Sequence, residues 1–342
     1  MVRDEPAWWY GAGQQSVARA LQPLAHLYGA VALARYRNAQ PYRSKRPVIC
    51  VGNFTAGGTG KTPLALYIAE RLKAMGERPV FLTRGYGGSL KGPVWVDGAR
   101  HTASDIGDEP LLLVRAAPVV VARDRKAGAQ EIEARGRDAS VIIMDDGLQN
   151  PSLIKDLAIA VVDAARGIGN GRVIPAGPLR APLEFQMALC DAIVLNGAGR
   201  ASPIEDRLQQ TFTGPLLRAR VEPAQDTAWL DGARLIAFAG IGHPQRFFDL
   251  LGSRVHECVV FRDHQMLNEG DACALLAKAK SVGATLITTE KDWVRLTAVT
   301  GPLAELKKQT RAFAVRSAPD VESGDRLDQL LNKVLVEHGA KP

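Results

Sequence analysis

The sequence predicts an α/β protein with a doubly wound, mostly parallel sheet that carries a P-loop, plus a second, smaller α/β domain and an N-terminal amphipathic helix. Short apolar runs alternate with longer stretches that are compatible with helices. This alternation is typical of buried parallel strands joined by crossover helices. A glycine-rich loop also follows the first apolar run directly. The 342 residues are enough for two domains of ordinary size.

The N-terminal segment, residues 1–46, is predicted to contain a basic amphipathic helix over residues 14–37. It carries a net charge of +5, out of +7 for the whole chain, and includes the aromatic run Trp8, Trp9 and Tyr10. One apolar stripe recurs at spacings of three and four, at Val17, Leu21, Leu24, Tyr28 and Val31. Such a helix either packs on its own domain or lies in the headgroup layer of a membrane, and the sequence leaves both open.

The remaining residues are nearly neutral, which is not the charge distribution of a nucleic-acid binder. No apolar window reaches the length of a membrane-spanning helix, and the first residues do not resemble a signal peptide. Cys50, Cys190, Cys258 and Cys273 have no metal-like spacing. They are predicted to be reduced, buried thiols of a cytosolic protein.

Two series of apolar runs predict two domains. Residues 47–222 form the P-loop domain, with strands predicted at 47–52, 80–83, 118–122, 141–145, 157–163 and 192–195. A polar stretch, residues 223–233, is predicted to be a linker. Residues 234–342 form the smaller domain, with strands at 235–239, 285–288 and 313–315 and helices at 244–251, 269–282 and 326–338. Ligands bind beyond the carboxyl ends of strands in such sheets.

The strongest chemical signal is the P-loop at residues 55–62, whose residues are Thr55, Ala56, Gly57, Gly58, Thr59, Gly60, Lys61 and Thr62. Glycines let backbone N–H groups surround a phosphate, and the following helix directs its positive end there. Lys61 is expected to reach the β- and γ-phosphates of a nucleotide, and the Thr62 hydroxyl to bind Mg²⁺. Thr55 stands where the motif usually has glycine.

Two adjacent carboxylates follow the predicted strand at 141–145. Asp145 and Asp146 are placed where a P-loop protein holds or orders its metal ion. They are therefore predicted to bind Mg²⁺ together with Thr62.

A succession of motifs makes the prediction more specific. In order they are Val51-Gly52-Asn53, the P-loop with Pro63, Thr83-Arg84-Gly85-Tyr86-Gly87-Gly88, Gly107-Asp108-Glu109-Pro110 and Asp145-Asp146-Gly147-Leu148-Gln149. They continue with Gly169-Asn170-Gly171-Arg172, Pro175-Ala176-Gly177-Pro178-Leu179-Arg180, Phe238-Ala239-Gly240-Ile241-Gly242, Asp263-His264 and Thr288-Thr289-Glu290-Lys291-Asp292. This series resembles the tetraacyldisaccharide 4′-kinase family from about residue 15 to about residue 300.

The resemblance implies a phosphotransferase of lipid A biosynthesis. It implies that ATP and Mg²⁺ are used, and that the γ-phosphoryl group is transferred to the 4′-hydroxyl of an acylated glucosamine disaccharide 1-phosphate to give lipid IVA. It further implies a peripheral enzyme at the cytoplasmic face of the inner membrane of Gram-negative bacteria. The active site is expected in the cleft between two α/β/α domains.

Roles for single residues follow from the same resemblance. Asp108 corresponds to the carboxylate that accepts the proton of the sugar hydroxyl, oriented by His264. From the residues themselves, Arg84, Arg172 and Arg180 lie in Gly-rich or Pro-rich loops, and their guanidinium groups suit the substrate 1-phosphate or ATP. Asn150 and Ala181 depart from the family pattern, in which His and Glu are usual, so no metal or nucleotide role is assigned to them.

Two other functions remain compatible with the P-loop. One is a switch ATPase that regulates a membrane-associated partner, but such a protein would not require the pair Asp108 and His264. The other is a non-enzymatic peripheral membrane protein. The presence of Lys61, Thr62 and both aspartates speaks against it.

Overall fold

The computed structural model describes residues 5–11, 13–197 and 203–339, so Arg3 and Asp4 of the basic segment lie outside the described residues. Within those ranges the chain forms two sheets, one of nine strands and one of four, each with helices packed on it. The predicted fold class is confirmed. None of the described helices combines the length and apolar character needed to cross a bilayer.

The elements are as follows in chain order. The N-terminal segment forms α1 (Ala7–Tyr10), α2 (Gln15–Ala20) and α3 (Gln22–Arg37). The larger domain continues with β1 (Val48–Gly52), α4 (Lys61–Ala74), β2 (Pro79–Thr83), β3 (Val94–Trp95), α5 (Ala103–Ile106), α6 (Asp108–Leu113), β4 (Val119–Val121), α7 (Arg125–Arg135), β5 (Val141–Asp145), β6 (Leu157–Asp163), α8 (Leu183–Met187), β7 (Ala192–Asn196), α9 (Pro203–Thr211) and β8 (Leu216–Pro223).

The smaller domain contains a 3₁₀ helix (Ala228–Leu230), β9 (Leu235–Ala239), α10 (Pro244–Leu251), a second 3₁₀ helix (Gly252–Arg254), β10 (Val255–Val260), α11 (Glu269–Val282), β11 (Thr285–Thr289), α12 (Glu290–Arg295), α13 (Gly301–Gln309) and β12 (Thr310–Phe313). The chain ends with β13 (Val315–Pro319) and α14 (Val321–Gly339).

The large sheet has the strand order β13-β8-β7-β6-β1-β5-β2-β4-β3. Its seven inner strands are parallel, and β13 and β3 are antiparallel edge strands. The inner strands β1, β2, β5, β6 and β7 are buried along their whole length, as expected when helices cover both faces. Their carboxyl ends lie at one edge of the sheet, and every residue of the candidate site in the larger domain is at or after such an end.

The helix that follows the P-loop is anchored by its apolar face. Leu64, Ile68 and Leu72 recur every four residues in α4 and are fully buried in the core under the sheet. Burial of each of these side chains contributes on the order of 1.5–3 kcal/mol. The helix therefore holds the residues at its first turn, Lys61 and Thr62, rigidly at the sheet edge.

The C-terminal residues do not belong to the smaller domain, and the predicted boundary at 234–342 is wrong from residue 315 onward. The predicted strand at 313–315 is in fact the end of β12 in the small sheet and the start of β13 in the large sheet, where β13 pairs with β8. In α14, Leu327, Leu331 and Val334 are buried in the core of the larger domain. An apolar run marks a strand but does not specify which sheet receives it.

The predicted N-terminal helix is interrupted at Leu21, and its apolar stripe is not the face that packs. The buried positions are small, Ala25 and Gly29, and a Cβ atom at Gly29 would lie 3.5 Å from Pro182. Leu24 and Val31 of the stripe are 56% and 51% exposed. The helix thus packs on its own domain through small residues and presents its large apolar side chains outward.

The aromatic residues Trp8, Trp9 and Tyr10 are half-buried against the domain. The indole N–H groups of both tryptophans donate to the carbonyl of Pro175, at 3.3 and 3.2 Å. The Arg166 guanidinium lies 3.5 Å from the centre of the Tyr10 ring. These three rings therefore contact the loop that follows β6.

The prediction that all four cysteines are buried is wrong for Cys258 and Cys273, which are exposed. Cys258 lies on β10, an edge strand whose side chains alternate between half-buried and exposed. Cys273 follows the buried Ala272 on α11 and so faces away from the core.

Candidate active site

A cavity of about 1630 Å³ lies between the two domains, at the carboxyl ends of the large sheet. Its wall is formed by the P-loop, the N-terminal segment and loops of the smaller domain. Predicted site residues in this wall are Ala56, Gly57, Gly58, Thr59, Gly60, Lys61, Thr62, Arg84, Asp146, Arg180 and His264. The cavity is large enough for two substrates side by side.

The P-loop has a fixed shape because two side-chain amides hold its carbonyl groups. Asn53 Nδ2 donates to the Thr55 carbonyl at 2.7 Å, and Asn196 Nδ2 donates to the Thr59 carbonyl at 2.7 Å. Gly60 has φ +89°, and a Cβ atom there would lie 1.9 Å from Asn196 Nδ2. Glycine is therefore required at this position both by backbone conformation and by space.

Lys61 and Arg180 converge on Asp146, which has a left-handed backbone conformation with φ +51°. The Arg180 Nη1 atom lies 2.9 Å from Asp146 Oδ1, and the Lys61 Nζ atom lies 3.6 Å from the same oxygen. Burial opposes ionisation of Asp146, but these two cations outweigh it and hold the pKa of Asp146 below its ordinary value. Asp146 is thus a carboxylate at neutral pH.

Asp145, the last residue of β5, is fully buried beneath the loop. Its Oδ2 atom accepts a long hydrogen bond of 3.4 Å from Thr83 Oγ1, whereas no hydrogen-bond partner is described for its buried Oδ1 atom. Burial, together with the neighbouring carboxylates of Glu109 and Asp146, raises the pKa of Asp145 to about 7. A buried carboxylate oxygen for which no hydrogen bond is described, beside the carboxylate of the adjacent Asp146, fits the oxygen donors that Mg²⁺ prefers.

Asp108 lies at the first turn of α6, next to Glu109 of the cavity wall, and is 4% exposed without itself lining the cavity. Its Oδ2 atom accepts hydrogen bonds from Arg295 of the smaller domain, with the Nε atom at 3.0 Å and the Nη2 atom closer still. Its Oδ1 atom accepts from the backbone N–H of Glu109 at 2.9 Å. Burial alone would raise the pKa of Asp108, but Arg295, Lys291 and His264 lower it below its ordinary value.

His264 is brought to Asp108, as the resemblance implied, but it is not the nearest partner. The His264 Nδ1 atom lies 3.6 Å from Asp108 Oδ2 and 3.1 Å from Arg295 Nη2. A guanidinium can only donate, so His264 Nδ1 accepts this hydrogen bond and the ring proton sits on Nε2 in the neutral form. The Tyr86 ring packs edge-on against the imidazole, with centroids 5.4 Å apart.

A second ion pair crosses between the domains beside Asp108. Lys291 Nζ lies 2.7 Å from Glu109 Oε1, and both residues border the cavity. Burial would lower the pKa of Lys291, but the carboxylates of Glu109 and Asp108 outweigh it and raise that pKa. Lys291 is therefore a cation at neutral pH.

The remaining predicted residues have different outcomes. Arg84 is exposed in the cavity wall, and no hydrogen bond of its side chain is described. Arg172 is not among the residues of that wall, and its carbonyl accepts the backbone N–H of Leu179, next to Arg180, at 3.0 Å. Asn150 uses its Oδ1 atom to accept hydrogen bonds from Ser152, and the Ala181 carbonyl accepts one from Gln186.

Two important residues were not predicted from the sequence. Arg295 contacts Asp108, His264, Asp292 and the Gly240 carbonyl, although it lies outside every motif. Asn196 follows an apolar strand and could have been suspected for that reason, since polar residues at strand ends face the ligand in such sheets. The signal for Arg295 is weaker, because an arginine one turn into a helix is usually a surface residue.

Comparison with known proteins places these residues in a family. Residues 17–335 match the family model described as tetraacyldisaccharide-1-P 4′-kinase. The chain is 51% identical over 296 residues to the tetraacyldisaccharide 4′-kinase of Bradyrhizobium diazoefficiens, covering 85% of this chain and 86% of the relative. The enzyme of the same name from Nitrobacter winogradskyi is 47% identical over 326 residues, with 94% and 95% covered.

A solved structure agrees with these sequence matches. The crystal structure of LpxK from Aquifex aeolicus in complex with ATP superimposes with a TM-score of 0.71 at 26% identity. The match covers 93% of this chain and 99% of that one.

Proposed function

The chain belongs to the tetraacyldisaccharide-1-P 4′-kinase family, and from this membership we propose that it transfers the γ-phosphoryl group of ATP to the 4′-hydroxyl of a tetraacyldisaccharide 1-phosphate, giving lipid IVA in lipid A biosynthesis. The observation that carries this proposal is the composition of a single cavity. The P-loop with Lys61 lines this cavity, and the buried base candidate Asp108 is next to Glu109 of the same wall. A kinase requires both.

The P-loop side is suited to ATP. Its backbone N–H groups and the first turn of α4 provide donors and positive charge for the phosphates, and Lys61 adds a full charge. Arg180 is the best placed of the three predicted arginines to act with Lys61, because it already lies beside Asp146 and the Thr55 carbonyl. The ATP in the related crystal structure supports this assignment.

Thr62, Asp145 and Asp146 form the group of residues that would hold Mg²⁺. The support is the buried Oδ1 atom of Asp145, for which no hydrogen-bond partner is described. When bound, the ion would neutralise charge on the phosphate oxygens. Lys61 and Arg180 compensate the charge of Asp146.

Asp108 is the residue we assign to the acceptor hydroxyl. A sugar hydroxyl is a weak nucleophile, so its proton passes to Asp108 as the new O–P bond forms and the bond from phosphorus to the ADP oxygen breaks. The ionised state of Asp108 at neutral pH supports this role, and that state is maintained by Arg295, Lys291 and His264. Arg295 acts as a positioning residue because it donates to the Asp108 carboxylate. His264 acts as a second one because its Nδ1 atom accepts from Arg295.

We further infer that the protein works as a peripheral protein at the cytoplasmic face of the inner membrane, where an acceptor with four acyl chains would reside. The outward face of α3 supports this, since Leu27 is 63% exposed beside Leu24 and Val31. Arg19, Arg35 and Arg37 lie exposed on the same helical segment and would be attracted to anionic headgroups, at about 1 kcal/mol for each basic residue.

The decisive experiment supplies ATP, Mg²⁺ and a tetraacyldisaccharide 1-phosphate in detergent micelles and follows the lipid by mass. We expect a product that is heavier by one phosphoryl group, with release of one ADP per product. ATP hydrolysis without a phosphorylated lipid would instead favour a switch ATPase that regulates a membrane-associated partner. A disaccharide already phosphorylated at both positions is the matched control and should not react.

A further inference from the structure

We propose that Arg246, in the smaller domain, is a positioning residue for the P-loop, so that the shape of the loop that binds ATP depends on the docking of the smaller domain. The proposal rests on the proposed function only in taking the P-loop as the ATP site. Arg246 is the third residue of α10 and lies in no catalytic assignment made above.

The guanidinium of Arg246 bridges two strand ends of the larger domain. Its Nη1 atom lies 3.3 Å from Asp163 Oδ2, and its Nη2 atom donates to the Asn196 carbonyl at 2.9 Å. Asp163 and Asn196 are the last residues of β6 and β7, and they are direct partners in the parallel register. One side chain of the smaller domain therefore holds the carboxyl ends of β6 and β7, which lie side by side at the edge of the large sheet that carries the site.

The contact continues from Asn196 into the P-loop. The Asn196 side chain donates to the Thr59 carbonyl at 2.7 Å and lies against Gly60, so that no Cβ atom would fit there. Asn196 is 2% exposed, which leaves its side chain little freedom to reorient. Arg246 holds the backbone of Asn196, and the amide of Asn196 holds the loop. A displacement of α10 would therefore change the position of Asn196 and, through it, the shape of the P-loop.

The charge of Asp163 explains why a guanidinium is needed at this place. Asp163 is 2% exposed, and its Oδ1 atom accepts from the backbone N–H groups of Ala165 and Arg166. In the described part of the chain, its Oδ2 atom forms ion pairs with Arg246 and with His243 at 3.9 Å, both in the smaller domain. A buried carboxylate is costly unless it is paired, so docking of the smaller domain is favoured at this point.

The coupling operates in both directions. If docking of α10 shapes the loop for phosphates, then bound ATP must favour docking of α10 by the same factor. The docked smaller domain also carries Arg295 and His264, which position Asp108. ATP bound at the P-loop would thus promote assembly of the groups that surround Asp108.

The test measures the affinity for ATP of the full chain by calorimetry without any lipid acceptor. We expect Arg246→Ala to weaken ATP binding about tenfold or more, since a charge-assisted contact to a buried group is lost. In the transfer assay the KM for ATP should rise by a similar factor, while the KM for the lipid stays within about twofold. Arg254→Ala is the matched control, because Arg254 pairs with Asp231 on the surface of the same domain.

A double-mutant cycle separates positioning from direct contact with ATP. Asn196→Ala removes the side-chain amide that holds the Thr59 carbonyl. If Arg246 acts on the loop through Asn196, adding Arg246→Ala to Asn196→Ala weakens ATP binding by less than about twofold further. Independent, multiplicative losses would show that Arg246 contacts the nucleotide itself and would overturn the proposal.

Two more outcomes decide against it. Unchanged ATP affinity in Arg246→Ala overturns the inference and leaves the proposed function intact, provided that lipid phosphorylation continues. A lowered thermal midpoint with unchanged ATP affinity assigns Arg246 a merely structural role. Failure of the unaltered chain to bind ATP overturns the proposed function first, and the inference with it.

Discussion

Arg295 and Asp108 form a buried ion pair that joins the two domains, and it places a guanidinium closer to the proposed base than the imidazole of His264. Arg295 also donates to the Gly240 carbonyl at 2.8 Å and to Asp292 Oδ1 at 2.8 Å, which fix its position within the smaller domain. Residues that are distant in the sequence therefore complete the surroundings of Asp108, the proposed base. Its ionisation depends on a domain other than its own.

Replacing Arg295 should move the acid limb of the pH–rate profile. Asp108 must be deprotonated to accept a proton, and Arg295 lowers its pKa against the effect of burial. In Arg295→Gln the pKa of Asp108 rises, so activity is lost at a higher pH, by about one pH unit or more. The charged groups that still face Asp108 are Lys291, His264, Glu109 and Asp292. The measurement is kcat against pH at saturating substrates.

Arg115→Gln serves as the control for that profile, because Arg115 forms a partly exposed ion pair with Glu290 outside the base region. Its acid limb should coincide with that of the unaltered chain. An unshifted limb in Arg295→Gln, at a reduced rate, would mean that Arg295 stabilises the domain pair without tuning Asp108.

Asp108→Asn should separate nucleotide binding from chemistry. Asn keeps the size of the side chain and can still accept the N–H of Glu109, but it cannot take up a proton. We expect kcat to fall by about 10²- to 10⁴-fold while ATP affinity stays within about threefold. Lys61→Met should show the opposite pattern, with ATP affinity strongly reduced. Equal losses of ATP binding in both variants would remove Asp108 from the role of base.

Asp145→Asn should make the metal-free protein more stable and less active. The raised pKa of Asp145, about 7 against an ordinary 3.8, means that its ionisation destabilises the folded state most above pH 7, and that this penalty decreases gradually as the pH falls from 7 toward 3.8. In EDTA at pH 8 we expect the variant to melt about 2–4 °C higher, with a smaller gain at pH 5.5. Phosphoryl transfer with Mg²⁺ should fall by orders of magnitude. A lower midpoint at pH 8 would show that Asp145 has a stabilising partner.

Charge placed on the outer face of α3 should weaken membrane association without affecting ATP. Leu27 and Val31 are exposed and do not line the cavity, so Leu27→Asp with Val31→Asp leaves the nucleotide site untouched. We expect at least a tenfold loss of binding to vesicles containing anionic lipid, because two apolar anchors are replaced by repelled charges. Val299→Asp, at an 89% exposed position of the smaller domain, is the matched control. Point variants are preferable to removal of the segment, since Trp8 and Trp9 bond to Pro175.

The sequence was sufficient to predict the elements whose signal is local. Strands β5, β6 and β9 and helices α10 and α11 have the predicted bounds, because each is an apolar run or a periodic stretch bounded by polar or glycine residues. It could not place β13, because pairing with β8 depends on contacts across about a hundred intervening residues. β10 was missed for another reason: as an edge strand it buries little and alternates weakly.

The same distinction applies to the site. The P-loop and the aspartates after β5 have short-range patterns with a known physical basis, and the resemblance supplied the pair of Asp108 and His264. The roles of Arg295 and Arg246 could not be predicted, because each depends on an ion pair with a buried carboxylate of the other domain. A charged side chain on a short helix is predicted to be exposed to solvent unless a buried partner is known.

The return of the chain to the large sheet constrains how this protein can be made. The smaller domain is inserted between β8 and β13, two strands that lie side by side, so the large core lacks Leu327, Leu331 and Val334 until the whole insertion has been synthesised. The nascent P-loop domain must therefore remain without these residues while the insertion folds. Removal of α14 should damage the domain whose synthesis began before the insertion.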